Sequence, residues 1–266
     1  MKKWLAQYSL IALLVNSWLL LSGAGYPVSY KAQDVVLNGY LAFDETQTGP
    51  RPAVLVVHEW WGHNEYARKR ANMLAQEGYV ALAVDMYGNG QQAAHPDDAK
   101  RFSSALFRDF ATATNRFQAA VDFLKQQPQV DTSNIAAIGY CFGGGMVLNM
   151  ARQGLPDLRA VASFHGALDP VVPTHPGQLR AKLLVLHGND DPLIPAAKVD
   201  AFKQEMAAAG GDLTFIGYPQ VTHAFTNPEA DAMAQQFSLP LAYNAAADQH
   251  SWQALRTFLT QVWQKN

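Results

Sequence analysis

The chain holds one cysteine, Cys141, in the run IAAIGYCFGGGMVLNMAR (135–152), framed by Gly139 and Gly143. G-x-C-x-G between an apolar run and a helical pattern has the form of a nucleophile elbow. Such a turn drives its central side chain out of the sheet, and the flanking glycines let neighbouring backbone approach. The amides opening the following helix stabilise a thiolate, and the Phe142 N–H can bind an oxyanion formed on an attacked carbonyl. The alternative is a buried cysteine used for packing, since free cysteine is among the most buried residue types. A thiol nucleophile needs a base and an orienting acid, in the chain order nucleophile, acid, histidine. Downstream, LLVLHGNDDPLIPAAKV carries Asp190 and Asp191, and YPQVTHAFTNP carries His223. Each alone has a plainer reading, as a turn residue or a structural histidine; their order joins them.

The elements that must position these residues alternate along the chain. VVLNGYLAF reads as a half-exposed strand, and PAVLVVH (52–58), YVALAVD (79–85) and NIAAIGY (134–140) as buried strands. RAVASFH, AKLLVLH and LTFIGY are further strands. ARKRANMLAQEG, a stretch from Asp97 to Gln127, GGMVLNMARQG, AAKVDAFKQEMAAAG and SWQALRTFLTQVWQ read as helices. In the last, Trp252, Leu255, Leu259 and Trp263 are expected on one face. Alternation of this kind predicts an α/β fold, a mostly parallel central sheet with helices on both faces. In such sheets reactive groups gather beyond the carboxyl ends of the strands. His58, Glu59, Asp85, Cys141, His165, His187, Asp190, Asp191 and His223 all fall there.

Four motifs together, VVHEWWG (56–62), GYCFGGG (139–145), HGNDDPLIP (187–195) and THAFTNP (222–228), resemble the dienelactone hydrolase family of the α/β-hydrolase superfamily. The likeness spans roughly residues 28–264, expected as a single α/β-hydrolase domain. The resemblance implies a carboxylic ester hydrolase, carboxymethylenebutenolidase-like, cleaving an ester or lactone through a Cys-Asp-His triad. It implies Cys141 as nucleophile, His223 as base and Asp191 rather than Asp190 as acid, because the family's acid opens a D-x-x-x-P run. It implies Glu59 as the carboxylate that holds the resting thiol, and the Trp60 N–H as second oxyanion donor beside Phe142. The family places a carboxylate-binding arginine four residues after the histidine, where this chain has Asn227. Arg101 and Arg108 are candidates for the family's other arginine. Trp60, Trp61, Tyr87 and Phe225 are expected to line an apolar pocket.

The composition narrows the classes. Hydrophobic residues make up 49% of 266 and charged residues 16%, which supplies a large core. A formal net charge of -2 with no basic block argues against nucleic acid. Lys2 and Lys3, the 11-residue apolar run IALLVNSWLLL and the small residues Ser22 and Ala24 read as a secretory signal peptide over 1–24. A retained anchor is the alternative, although the run is short of the ~20 residues a spanning helix needs. Export predicts a periplasmic or secreted protein, where a lone cysteine can form no internal disulfide. The expected partner is a small-molecule ester or lactone, with no membrane after cleavage, no cofactor and no metal, and the protein acting as a monomer. A non-catalytic binding protein on the same fold is the competing reading. A redox sensor lacks a resolving cysteine, and the eight histidines show no zinc spacing.

Overall fold

The computed structural model describes residues 25–264; the expected signal peptide lies outside them. The strands are β1 (Tyr26–Ala32), β2 (Val35–Ala42), β3 (Arg51–Val57), β4 (Val80–Val84), β5 (Val130–Tyr140), β6 (Leu158–Phe164), β7 (Lys182–Gly188) and β8 (Leu213–Tyr218). The helices are α1 (Glu65–Gln76), α2 (Pro96–Arg108), α3 (Phe110–Lys125), α4 (Phe142–Arg152), α5 (Ala196–Ala208), α6 (Ala230–Phe237) and α7 (Ala245–Trp263). One sheet runs β1-β2-β4-β3-β5-β6-β7-β8. The β1–β2 and β2–β4 pairs are antiparallel, and every pair from β4 to β8 is parallel.

The apolar strands serve two cores at once. Along β3, Ala53, Leu55 and Val57 join the core shared with Leu106, Phe117, Met146 and Phe202 of α2 to α5. Val54 and Val56 point the other way, into the core built with α1 and α7. Successive strand residues alternate faces, so a strand covered on both sides is apolar throughout. Each buried Val or Leu contributes about 1.5–3 kcal/mol. The alternation carries into β5, whose Ile138 and Tyr140 face α1 and α7. Leu255 and Leu259 of α7 are buried in that same core, with Trp252 and Trp263 packed against it, as the spacing predicts.

The structure departs from the sequence reading in four places. The helical stretch 97–127 is two helices, broken at Asp109 (φ −107°, ψ 72°), whose carboxylate accepts from the Thr112 N–H and caps α3. An edge strand, β1, precedes the first one expected; with Pro27, Ser29 and Lys31 on its open side it has no apolar run to betray it. Helix α6 was not foreseen, since only Ala230 in it is buried. Helix α7 begins at Ala245, before the expected stretch, because the Asn244 side chain caps it by accepting from the Ala247 N–H. Among the described residues no helix is long and apolar enough to cross a membrane.

Candidate active site

Between β5 and α4 the chain turns on one residue. Cys141 has φ +52° and ψ −115°, outside the regions an L-residue prefers, and its side chain is half-buried. The strained turn persists because its surroundings are tight. A Cβ on Gly139 would sit 2.1 Å from the Gly143 carbonyl oxygen, and one on Gly143 would sit 2.3 Å from that of Val57. Only hydrogen fits there, so β3, β5 and α4 meet at van der Waals contact. All 11 residues of α4 are buried. Phe142 opens that helix, so its N–H has no intrahelical acceptor.

Asp191 and His223 come from the loops after β7 and β8. Those loops are stitched together: the Asn189 N–H donates to the Tyr218 carbonyl and the Asp190 N–H to that of Val221. His223 Nδ1 lies 2.7 Å from Asp191 Oδ2, both side chains buried. Asp190, by contrast, is exposed. His223 Nε2 is buried without a partner at hydrogen-bond geometry, a common resting state for a group that engages during reaction. Burial alone would lower the His223 pKa. The interaction with the neighbouring Cys141 sulfur and the hydrogen bond to Asp191 outweigh burial and push it up to about 10.

The loop after β3 carries His58 to Asn64. The Gly62 N–H closes its turn onto the Glu59 carbonyl, and the Ala93 N–H donates to the Trp61 carbonyl. Tyr87 Oη donates to the Trp60 carbonyl at 2.8 Å, fixing the backbone on either side of Trp60. His58 Nε2 accepts from the Met86 N–H, so its Nδ1–H donates to the Glu59 carbonyl. Burial lowers the His58 pKa to about 4 and keeps this bridge neutral. Glu59, 3% exposed, has its pKa raised by burial to about 7. The Asn227 amide, donating to Glu59 Oε2 at 2.7 Å, and the charge of His223 limit the rise.

Sequence reasoning placed His165 at a strand end without a role. It is fully buried at φ +41°, and its Nδ1 accepts from the Cys141 N–H at 3.1 Å. That bond leaves the ring proton on Nε2, which donates to Thr226 Oγ1 at 2.7 Å. Thr226 Oγ1 meets Tyr66 Oη at 2.6 Å, and Arg70 Nη2 donates to the Thr226 carbonyl and to Asp248. The chain of bonds ties the turn at Cys141 to the loop bearing His223 and Asn227. Burial, then the charges of His223 and Arg70, hold the His165 pKa well below the usual imidazole range. The sequence signal was present in THAFTNP, but Thr226 is 61 residues from its partner His165.

Cys141, His223 and Glu59 line one cavity of about 160 Å³. Its walls are apolar, with Trp60, Trp61, Leu193, Met233, Leu239 and Leu241 among the lining residues. Two of the four aromatics expected there are elsewhere. Phe225 is wholly buried in the α1–α7 core, and Tyr87 lies in the opposite core, with its hydroxyl on Trp60. Arg101 pairs with Asp98 at the surface and Arg108 is exposed; neither reaches the cavity. Among the described residues, no group of three or more His, Cys, Asp or Glu side chains is placed to hold a metal ion.

A mostly parallel sheet covered on both faces, with the sharp β5–α4 turn at the carboxyl end of its central strand, defines an α/β-hydrolase. A profile of the dienelactone hydrolase family matches residues 37–263, and the chain belongs to that family. The chain is 30% identical to a Yersinia pestis protein provisionally named a carboxymethylenebutenolidase, over 85% of this chain and 84% of that one. A Methylorubrum extorquens protein with the same provisional name is 29% identical over 88% and 80%. Among solved structures, the dienelactone hydrolase-like promiscuous phosphotriesterase P91, from metagenomic libraries, superposes with a TM-score of 0.82. It is 35% identical, across 91% of this chain and 99% of that one. The chain is a carboxylic ester hydrolase of the ester and lactone type.

Proposed function

We propose that the chain cleaves an ester or lactone through Cys141, with His223 as base and Asp191 as its orienting acid. His223 takes the proton of the Cys141 thiol, and the resulting thiolate attacks the carbonyl carbon. The tetrahedral oxyanion is held by the N–H groups of Phe142 and Trp60. Collapse expels the alcohol, protonated by His223, and leaves a thioester on Cys141. Water, deprotonated by His223, attacks that thioester; the acid departs and the sulfur recovers its proton. Asp191 keeps the His223 proton on Nδ1, so that Nε2 faces the sulfur. Glu59, its carboxyl near neutrality and in the same cavity, holds the resting thiol. The observation that carries the proposal is the 2.7 Å Asp191–His223 bond beside a cysteine held at φ +52° in a shared cavity.

The test is a panel of aryl esters and lactones on wild type and Cys141→Ala. Wild type should turn over at least one member, and the variant should lose about 10⁴-fold or more in kcat. Equal rates in the two proteins would remove the sulfur from the reaction; no turnover by either would favour a binding protein on this fold.

A second reading has the same sulfur attack phosphorus in a neutral phosphotriester, breaking the P–O bond to the aryloxide, which leaves protonated by His223; water then releases the phosphodiester from sulfur. The 35% identity to a promiscuous phosphotriesterase favours it. An aryl dialkyl phosphate added to the panel distinguishes the two. Phosphotriester turnover at least equal to that of the best ester, lost in Cys141→Ala, would establish the second reading.

A further inference from the structure

The cavity beside Cys141 is unusual in what it lacks. Among the described residues lining it there is no lysine or arginine, and its one acid is Glu59. The only other ionisable side chains lining it are Cys141 and His223, and any charge on His223 is already paired with the buried Asp191 carboxylate at 2.7 Å. Arg70 is buried behind Thr226, with its Nη2 donating to the Thr226 carbonyl and to Asp248. The polar group nearest to serving as a substrate anchor is the Asn227 side chain, and it is already engaged. Its Nδ2 donates to Glu59 Oε2 at 2.7 Å, and its Oδ1 accepts from the Glu229 N–H at 3.0 Å. Asn227 therefore holds an acid in place inside the cavity instead of offering a cation to it.

We propose that this cavity accepts only the uncharged, apolar portion of the substrate, a short chain or a single ring, and rejects a carboxylate, with the Asn227–Glu59 pair as the specificity determinant. The proposal rests on Cys141 as the attacking group and deepens that reading to a substrate class. The physical ground is double. An entering carboxylate leaves water without an unpaired cation to meet it, since His223 is held by Asp191, and it approaches a second carboxyl in an apolar enclosure. Size sets the other limit, for about 160 Å³ is close to the ~150 Å³ of an apolar protein cavity that holds one benzene. Met233, unbranched and adaptable, lets the wall it lines fit either a ring or an alkyl chain.

Two matched pairs test the proposal: phenyl butanoate against monophenyl succinate, and phenyl butanoate against 4-carboxyphenyl butanoate. On whichever side of the bond enters the cavity, the neutral ester should lead by roughly 100-fold or more in kcat/KM. At pH 8, where Glu59 is ionised, Glu59→Gln keeps the acceptor for Asn227 but removes the opposing charge, and should shrink that ratio at least tenfold. Asn227→Arg supplies a cation and should shrink it further. Ratios below threefold in both pairs would overturn the proposal, as would a ratio unmoved by Glu59→Gln. The same esters titrated calorimetrically against Cys141→Ala separate the two levels of inference. Selective binding of the neutral ester with no turnover by wild type would sink the hydrolytic mechanism and leave the specificity intact. Binding of neither, or of both equally, would overturn the specificity.

Discussion

The floor and the rim of the cavity are built by opposite means. The floor is the β5–α4 turn, where every residue of α4 is buried and glycines admit backbone at contact distance. The rim is α6 and the strip to Asn244, where α6 buries Ala230 alone and ends on Ser238 at φ +53°. Backbone bonds tie the rim to the loop after β8, the Ala230 N–H on the Asn227 carbonyl, the Ala242 N–H on that of His223 and the Asn244 N–H on that of Phe225, while the Tyr243 N–H on Asp231 closes the rim on itself. Buried, over-determined backbone can store the strain at Cys141, whereas a thin rim cannot. The residue proposed as nucleophile thus sits on the most tightly packed part of the site. The rim contributes apolar wall to the cavity through Met233, Leu239 and Leu241.

Substitutions at floor and rim put that contrast to the test. The largest effect is expected from Asp191→Asn, which should leave the floor folded and lower kcat by about 10⁴-fold by releasing the His223 tautomer. Steady-state kinetics beside an unchanged circular dichroism spectrum checks this. Gly139→Ala attacks the floor itself. Its methyl must displace the Gly143 carbonyl, and the urea midpoint should drop by the equivalent of about 3 kcal/mol or more.

Glu59→Gln probes the seam between floor and rim through pH. The Glu59 pKa is about 7 in the folded chain against 4.5 as the ordinary value. A folded-state pKa raised in this way favours the protonated form. Its stabilising contribution is complete below pH 4.5 and is lost as pH rises through about 7. The variant, having no charge to bury, should be more stable than wild type by on the order of 2–3 kcal/mol at pH 8. At pH 4 the two should denature at the same urea concentration. A difference that persists at pH 4 would mean the gain comes from packing, not ionisation. The smallest effect is expected at the rim. Met233→Ala should cost less than about 1 kcal/mol in stability and raise KM several-fold for the preferred ester with kcat nearly unchanged. A fall in kcat of equal size would tie the rim to the chemistry and erase the contrast.

Legibility in the sequence follows the same line. The strands β3, β4 and β5 were readable because burial on both faces demands an unbroken apolar run. The turn at Cys141 was readable because glycines two places either side of a strand-end residue mark a close backbone crossing, where any side chain would clash. Asp191 was separable from Asp190 only through the family resemblance; in the structure one carboxylate is buried on His223 and the other exposed. Helix α6 was missed because its pattern is that of a surface segment, and the break at Asp109 because capping competes locally with an otherwise continuous helical pattern. The bond between Asn227 and Glu59 joins residues 168 apart, and that from His165 to the Cys141 amide crosses between neighbouring strand ends. No local pattern encodes either.

Periodicity and glycine sterics are local, and they were enough to set the fold class, the sharp turn at Cys141 and the strand ends at which the candidate side chains gather. Three outcomes waited for the folded chain: Tyr87 and Phe225 leave the pocket, His165 stays neutral beneath the turn, and Asn227 restrains an acid instead of greeting one. Those outcomes depend on desolvation and on distances between loops, and both exist only once the sheet has brought its strand ends together.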